Sequence, residues 1–129
     1  MKVINEALLQ TFREKTRCEY CLDDIRTGGD PHHLFSRGAG RIDAVWNLIA
    51  LCRHCHSAFH NGSIAKDNLV QIVSIREKVS FYSLSEMVFF VRQLYKHETC
   101  ESILHKANEL PHRAKTLVIQ TLTDAGIIS

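Results

Sequence analysis

The 129-residue chain has no apolar stretch near the ~20 residues that a membrane-spanning helix needs, so no membrane partner is expected. Its start, Met1 to Arg13, is amphipathic and mixed in charge. It lacks the basic start, apolar run and small-residue cleavage site of a signal peptide, and a cytoplasmic location is the expectation. There is little excess of either charge: the formal net charge is +2, which does not by itself announce nucleic acid. No internal repeat and no low-complexity segment is present. What remains is one globular domain, or a compact core with a helical appendage.

What is present is concentrated in the first half. The chain has five cysteines and eight histidines, and without a secretion signal the cysteines read first as metal ligands or thiols, not disulfides. Arg13, Lys15, Arg17, Arg26, Arg37, Arg41 and Arg53 surround them. A focused basic patch beside a metal site can bind phosphates at low net charge, although a solvated mixed-charge surface would look the same.

Residues 4–15 have helical spacing, with Ile4, Leu8 and Phe12 on one face. Two short apolar runs, residues 33–35 and 48–51, read as strands, separated by a glycine-bearing loop too long for a tight hairpin. Residues 52–60 read as a turn entering a short helix. Beyond Gly62 the pattern is helical. Asp67 is expected to cap a helix carrying Leu69, Ile72, Val73, Arg76 and Val79, and Ser83 with Glu86 has capping-box spacing ahead of Met87, Val88, Val91, Leu94 and Tyr95. Pro111 can open a last helix that Gly126 stops. The division drawn is a metal-rich half, residues 1–62, and a helical half, residues 63–129.

Cys18-x-x-Cys21 and Cys52-x-x-Cys55 are two knuckles. Each can place two thiolates on one ion, and together they give the closed tetrahedral shell of structural zinc. The stretch between them is longer than in a simple zinc ribbon, which implies a folded insert. That insert carries His32-His33 and Asn47, and His56 and His60 follow four residues apart, a spacing that shares one helix face. Cys100 is left over and reads as a core thiol.

In order, spacing and residue type, Cys18, Cys21, His32, His33, Asn47, Cys52, Cys55, His56 and His60 resemble the HNH endonuclease family in its four-cysteine form. The resemblance covers about residues 17–62. It implies an α+β fold: a small ββα-metal core with zinc knuckles, here with an N-terminal helix and C-terminal helices added. It implies His33 as general base, since a neutral imidazole accepts a proton near neutral pH. His32, where the family often has Asp, resembles a ligand of the catalytic ion. So do His56 and, as in the three-histidine members, His60. Asn47 resembles the motif's middle asparagine, which fixes the loop and orients the base. The implied reaction is hydrolysis of DNA phosphodiester bonds to 5′-phosphate and 3′-hydroxyl ends. It uses a divalent ion (Mg²⁺, Mn²⁺, Ni²⁺ or Zn²⁺) beside the structural Zn²⁺. Arg37 and Arg41, flanking the glycine loop, are candidates to hold neighbouring phosphates.

Two alternatives stay open. One is a non-catalytic, zinc-stabilised DNA-binding module; the other is a nuclease for branched DNA or RNA. A homodimer is a further expectation, because a small catalytic unit often needs two copies to cut both strands. The compact form resembles phage and mobile-element nucleases.

Overall fold

The first helix starts where Asn5 accepts a hydrogen bond from the Leu8 amide at 3.0 Å, satisfying one of the free donors of a helix N-terminus. In the computed structural model, residues 1–25, 31–35 and 40–129 are described. The elements among them are α1 (Glu6–Arg13), β1 (His32–His33), β2 (Leu48–Ile49), α2 (Arg53–His60), α3 (Lys66–Glu77), α4 (Phe81–Gln93), α5 (Cys100–Ala107) and α6 (His112–Asp124), with one 3-10 turn at Val45–Asn47. The fold is α+β, as the motif resemblance implies. No helix among the described residues is long and apolar enough to cross a membrane.

The two strands pair antiparallel, His32 with Ile49 and His33 with Leu48. They are shorter than the apolar runs suggested. The chain leaves β1 at Leu34, whose amide bonds the Asn47 carbonyl, and leaves β2 at Ala50, whose carbonyl accepts from the Glu19 amide. Ser80, not Ser83, caps α4: its hydroxyl accepts from the Ser83 amide at 3.0 Å, one turn earlier than the expected capping box. Asp67 likewise lies inside the first turn of α3, where a carboxylate complements the helix dipole, and Ala65 stands at the cap. Pro111 stands at the cap of the last helix, which begins at His112, and Gly126 takes φ +75°, the left-handed turn that ends it.

One buried apolar cluster runs through both halves of the chain. It includes Val3, Ile42, Trp46 and Ile49 together with Leu69, Leu84, Met87, Val91, Val118 and Leu122. A smaller cluster of Leu9, Phe12, Leu48 and Ala50 seats α1 against the hairpin. Two polar ties lock these layers. The Trp46 indole donates to Thr121 Oγ1 at 2.8 Å, joining the 3-10 turn to α6. Arg76 on α3 donates to the Val45 and Leu48 carbonyls at 2.5 and 2.8 Å and to Glu19 at 2.5 Å. The hairpin is therefore held from behind by the helices.

Candidate metal centres and the imidazole cluster

The turn after Cys18 is shaped by hydrogen bonds from the Leu22 amide to the Cys18 carbonyl and from the Cys18 amide to the Asp23 carbonyl. Leu22 takes φ +68°, a left-handed conformation that costs a non-glycine residue about 1–2 kcal/mol and is kept here at the tip of the knuckle. The second knuckle is the start of α2, where Cys52 Sγ accepts from the Cys55 amide. The four sulfurs of Cys18, Cys21, Cys52 and Cys55 all lie within 4.8 Å of one another. Burial raises the Cys18 thiol, but N–H groups of Cys21, Cys52 and Tyr20 directed at it outweigh that and bring it down to about 7. Burial and the neighbouring sulfurs push the Cys55 thiol up. Four thiols that cannot all ionise without a cation, within reach of one point, fit structural zinc.

The second cluster comprises His32 on β1 with His56 and His60 on α2, whose ring nitrogens approach within 4.8 Å of one another. Positions 56 and 60 share a helix face, with ring centroids 4.7 Å apart, and His32 faces them at 5.3 and 6.0 Å. Phe59 packs edge-on against His32 at 4.6 Å and walls one side. His32 Nε2 is buried and has no hydrogen-bond partner among the described residues. An unsatisfied buried nitrogen is costly unless something fills it, and a divalent ion fits this donor set. Burial lowers the His32 imidazole to about 4, with His56, His60, His33 and Lys66 adding to it; burial and then His60 lower His56. Both rings thus favour the neutral form that binds metals.

His33 goes to a different partner. Its Nε2 lies 2.8 Å from Asp43 Oδ1, and its side chain is 8% exposed. Asn47 is fully buried, and its side chain spans the loop: Oδ1 accepts from the Phe35 amide and Nδ2 donates to the Ile42 carbonyl, both at 2.9 Å. Arg41 points inward. Its guanidinium grips Asp43 at 2.8–3.1 Å and Glu6 at 2.9 Å, so a phosphate would have to compete with two carboxylates for it. Arg37 and Arg26 lie outside the described residues. Of the other first-half cations, Lys15 pairs with Glu19 and Arg13 with Glu6, while Arg53 is exposed. His97, Cys100, His105 and His112 join no ligand cluster among the described residues.

Asp43 belongs to no motif of the sequence. The signal was available: one carboxylate between Ile42 and the run Ala44-Val45-Trp46, in a stretch otherwise headed for the core.

Residues 18–62, which contain both clusters, match the family model described as HNH endonuclease. No curated protein and no solved structure matches the chain. The family is generally one of nucleases, so the match and the ligand clusters support a nuclease or DNA-binding role with metal binding. The family that the motif order resembles and the family matched over residues 18–62 are therefore the same one, HNH endonuclease.

Proposed function

We propose that the chain is a metal-dependent endonuclease hydrolysing DNA phosphodiester bonds, with His33 as general base. The observation that carries this is the three-imidazole cluster with its unsatisfied buried His32 nitrogen, on the strand that also holds His33 against a carboxylate. Three protein ligands leave room for a further ligand, whereas the four-cysteine site is closed. His32, His56 and His60 would hold the divalent ion. Bound there, it supplies charge neutralisation at the scissile phosphate and the leaving oxygen. His33 takes the proton of the attacking water. Asn47 fixes the loop on which His33 depends by closing both of its ends. The zinc knuckles fix the start of α2, and through it His56 and His60.

Residues 1–62 form the catalytic part in this reading and residues 63–129 its frame, with Arg76 and Thr121 as the ties. Arg37, and Arg41 where it yields one carboxylate, are the phosphate-holding cations of the glycine loop. A second copy would supply the cut in the other strand.

The test is plasmid nicking by zinc-loaded protein with Mg²⁺, Mn²⁺, Ni²⁺ or EDTA. Ion-dependent nicking is expected, and His33→Ala should slow it by about 10²–10⁴-fold. Inactivity with every ion overturns the proposal in favour of a zinc-stabilised DNA-binding module, and an unaffected His33→Ala protein overturns His33 as the base. Running duplex, single-stranded, branched and RNA oligonucleotides side by side decides the substrate, and duplex DNA is expected to be cut fastest.

A further inference from the structure

Asp43 has the most heavily engaged carboxylate among the described residues. Its side chain is fully buried. Oδ2 accepts from the Asn5 amide at 2.9 Å and from Arg41 Nη2 and Nε at 2.8 and 3.1 Å. Oδ1 accepts from Arg41 Nε at 3.0 Å and lies 2.8 Å from His33 Nε2. The surrounding backbone is equally tied, because Val3 donates to the Arg41 carbonyl and Asp43 donates to the Val3 carbonyl, both at 2.8 Å. Glu6 holds the far side of Arg41. Gly40 enters this clasp at φ +117°, which only glycine adopts without strain, so the turn that delivers Arg41 and Asp43 is written into the chain.

Burial alone would push the Asp43 carboxyl up. The Arg41, Asn5 and His33 donors outweigh burial and hold it below the usual carboxylate range. An ionised carboxylate has no proton to give. Every group facing it must donate, and the imidazole facing Oδ1 does so only with its hydrogen on Nε2. A neutral imidazole with Nε2–H has its lone pair on Nδ1.

We infer that Asp43 is the positioning residue of His33: the buried carboxylate fixes the ring's orientation and its tautomer, leaving Nδ1 as the atom that accepts the proton of water. The assignment of Nδ1 as the base rests on the function proposed above; the tether between the two side chains does not. The N-terminal segment, through Val3, Asn5 and Glu6, becomes part of the same device. It holds the carboxylate in place from outside the strands that carry the histidines.

Asp43→Asn tests this with little change in volume. Arg41 and the Asn5 amide converge on the Oδ2 position, so the amide oxygen should settle there and the NH2 should turn to His33. The imidazole must then accept at Nε2 and move its proton to Nδ1, which removes the base. In zinc-loaded, 15N-histidine-labelled protein at pH 8, the His33 ring should show the Nε2–H pattern in the wild type and the Nδ1–H pattern in Asp43→Asn. His33→Ala identifies the resonances. The nicking kcat should fall by about 10²–10⁴-fold with KM little changed.

An Nδ1–H or mixed pattern in the wild type overturns the inference, as does an unchanged tautomer in folded Asp43→Asn. If that variant fails to melt cooperatively, the wild-type spectrum decides alone. A protein that is inactive on every substrate but shows Nε2–H in the wild type and Nδ1–H in the variant retains the tether and loses the nuclease reading, so the two failures are distinguishable.

Discussion

The two ligand clusters meet at the neighbouring residues Cys55 and His56 yet differ in what they leave open. The cysteine cluster presents four sulfurs, with Cys18 and Cys55 buried, so an ion there has its shell filled by the chain. The histidine cluster presents three ring nitrogens, with His60 exposed and one His32 nitrogen buried without a partner. Helix α2 serves both, carrying Cys55 in its first turn and His56 and His60 immediately after. A closed site at the start of a helix fixes its direction, and an open site further along uses that direction. In the proposed function, ligand count, more than ligand type, separates the structural role from the chemical one.

The largest effect should come from breaking the closed site. Structural zinc in small domains contributes on the order of 10–16 kcal/mol of apparent binding energy, as much as the roughly 5–15 kcal/mol that stabilises a whole domain. The double variant Cys18→Ser, Cys55→Ser should retain no stoichiometric zinc and lose its cooperative thermal transition. Removing the open site through His56→Ala should instead leave zinc content and melting nearly intact while abolishing uptake of a second ion. Metal analysis with a thermal melt on both proteins checks this. If the two variants behaved alike, the division of roles between the clusters would be wrong.

Acid should sharpen the contrast. His32 sits at about 4 when folded, against an ordinary 6.5 when unfolded, and His56 is lowered in the same direction. Between those two values the unfolded chain binds more protons than the folded one, so unfolding free energy falls as pH drops from 6.5 toward 4. Below about 4 both states are protonated at His32 and its contribution stops changing. Urea denaturation of zinc-loaded protein without other divalent ions should show this slope, and His32→Leu should flatten it. A variant with the wild-type slope would mean that His32 is not held neutral by its surroundings.

How much of this was readable beforehand depends on the length of pattern each feature needs. The cysteine cluster and the His56–His60 pair follow from spacing, because two knuckles and an i, i+4 pair are local and the chemistry of their side chains is narrow; His32 as the third ligand came only from the family resemblance. Of the helices beyond Gly62, α3, α4 and α6 were legible from their apolar repeats. The caps of α3 and α4 were not, since Ser80 and Ser83 are equally good caps in sequence and packing of Leu84, Met87 and Val91 decides which turn comes first. The short helix α5, over Cys100–Ala107, has only Ile103 and Ala107 buried, too few apolar positions to announce itself. Arg41 read as a loop cation because no local signal reveals Glu6 and Asp43 as its partners, and Glu6 is 35 residues away. Asp43 carries a local hint, a lone carboxylate in an apolar stretch, but its partners Asn5 and His33 are distant in sequence and nothing local names them.

The smallest predicted effect concerns the helical half. Thr121 Oγ1 accepts from the Trp46 indole and donates to the Leu117 carbonyl, each at 2.8 Å, so it is the polar link between α6 and the turn preceding β2. Thr121→Val keeps the shape but strands a fully buried indole N–H, which should cost about 1–3 kcal/mol. A thermal melt reads that loss, and nicking kcat at low temperature should stay at the wild-type value. If residues 63–129 only brace the hairpin, stability and activity separate in this way. A drop in kcat without a drop in melting temperature would instead mean that α6 sets the geometry of the imidazole cluster through Trp46, and the helical half would belong to the catalytic apparatus.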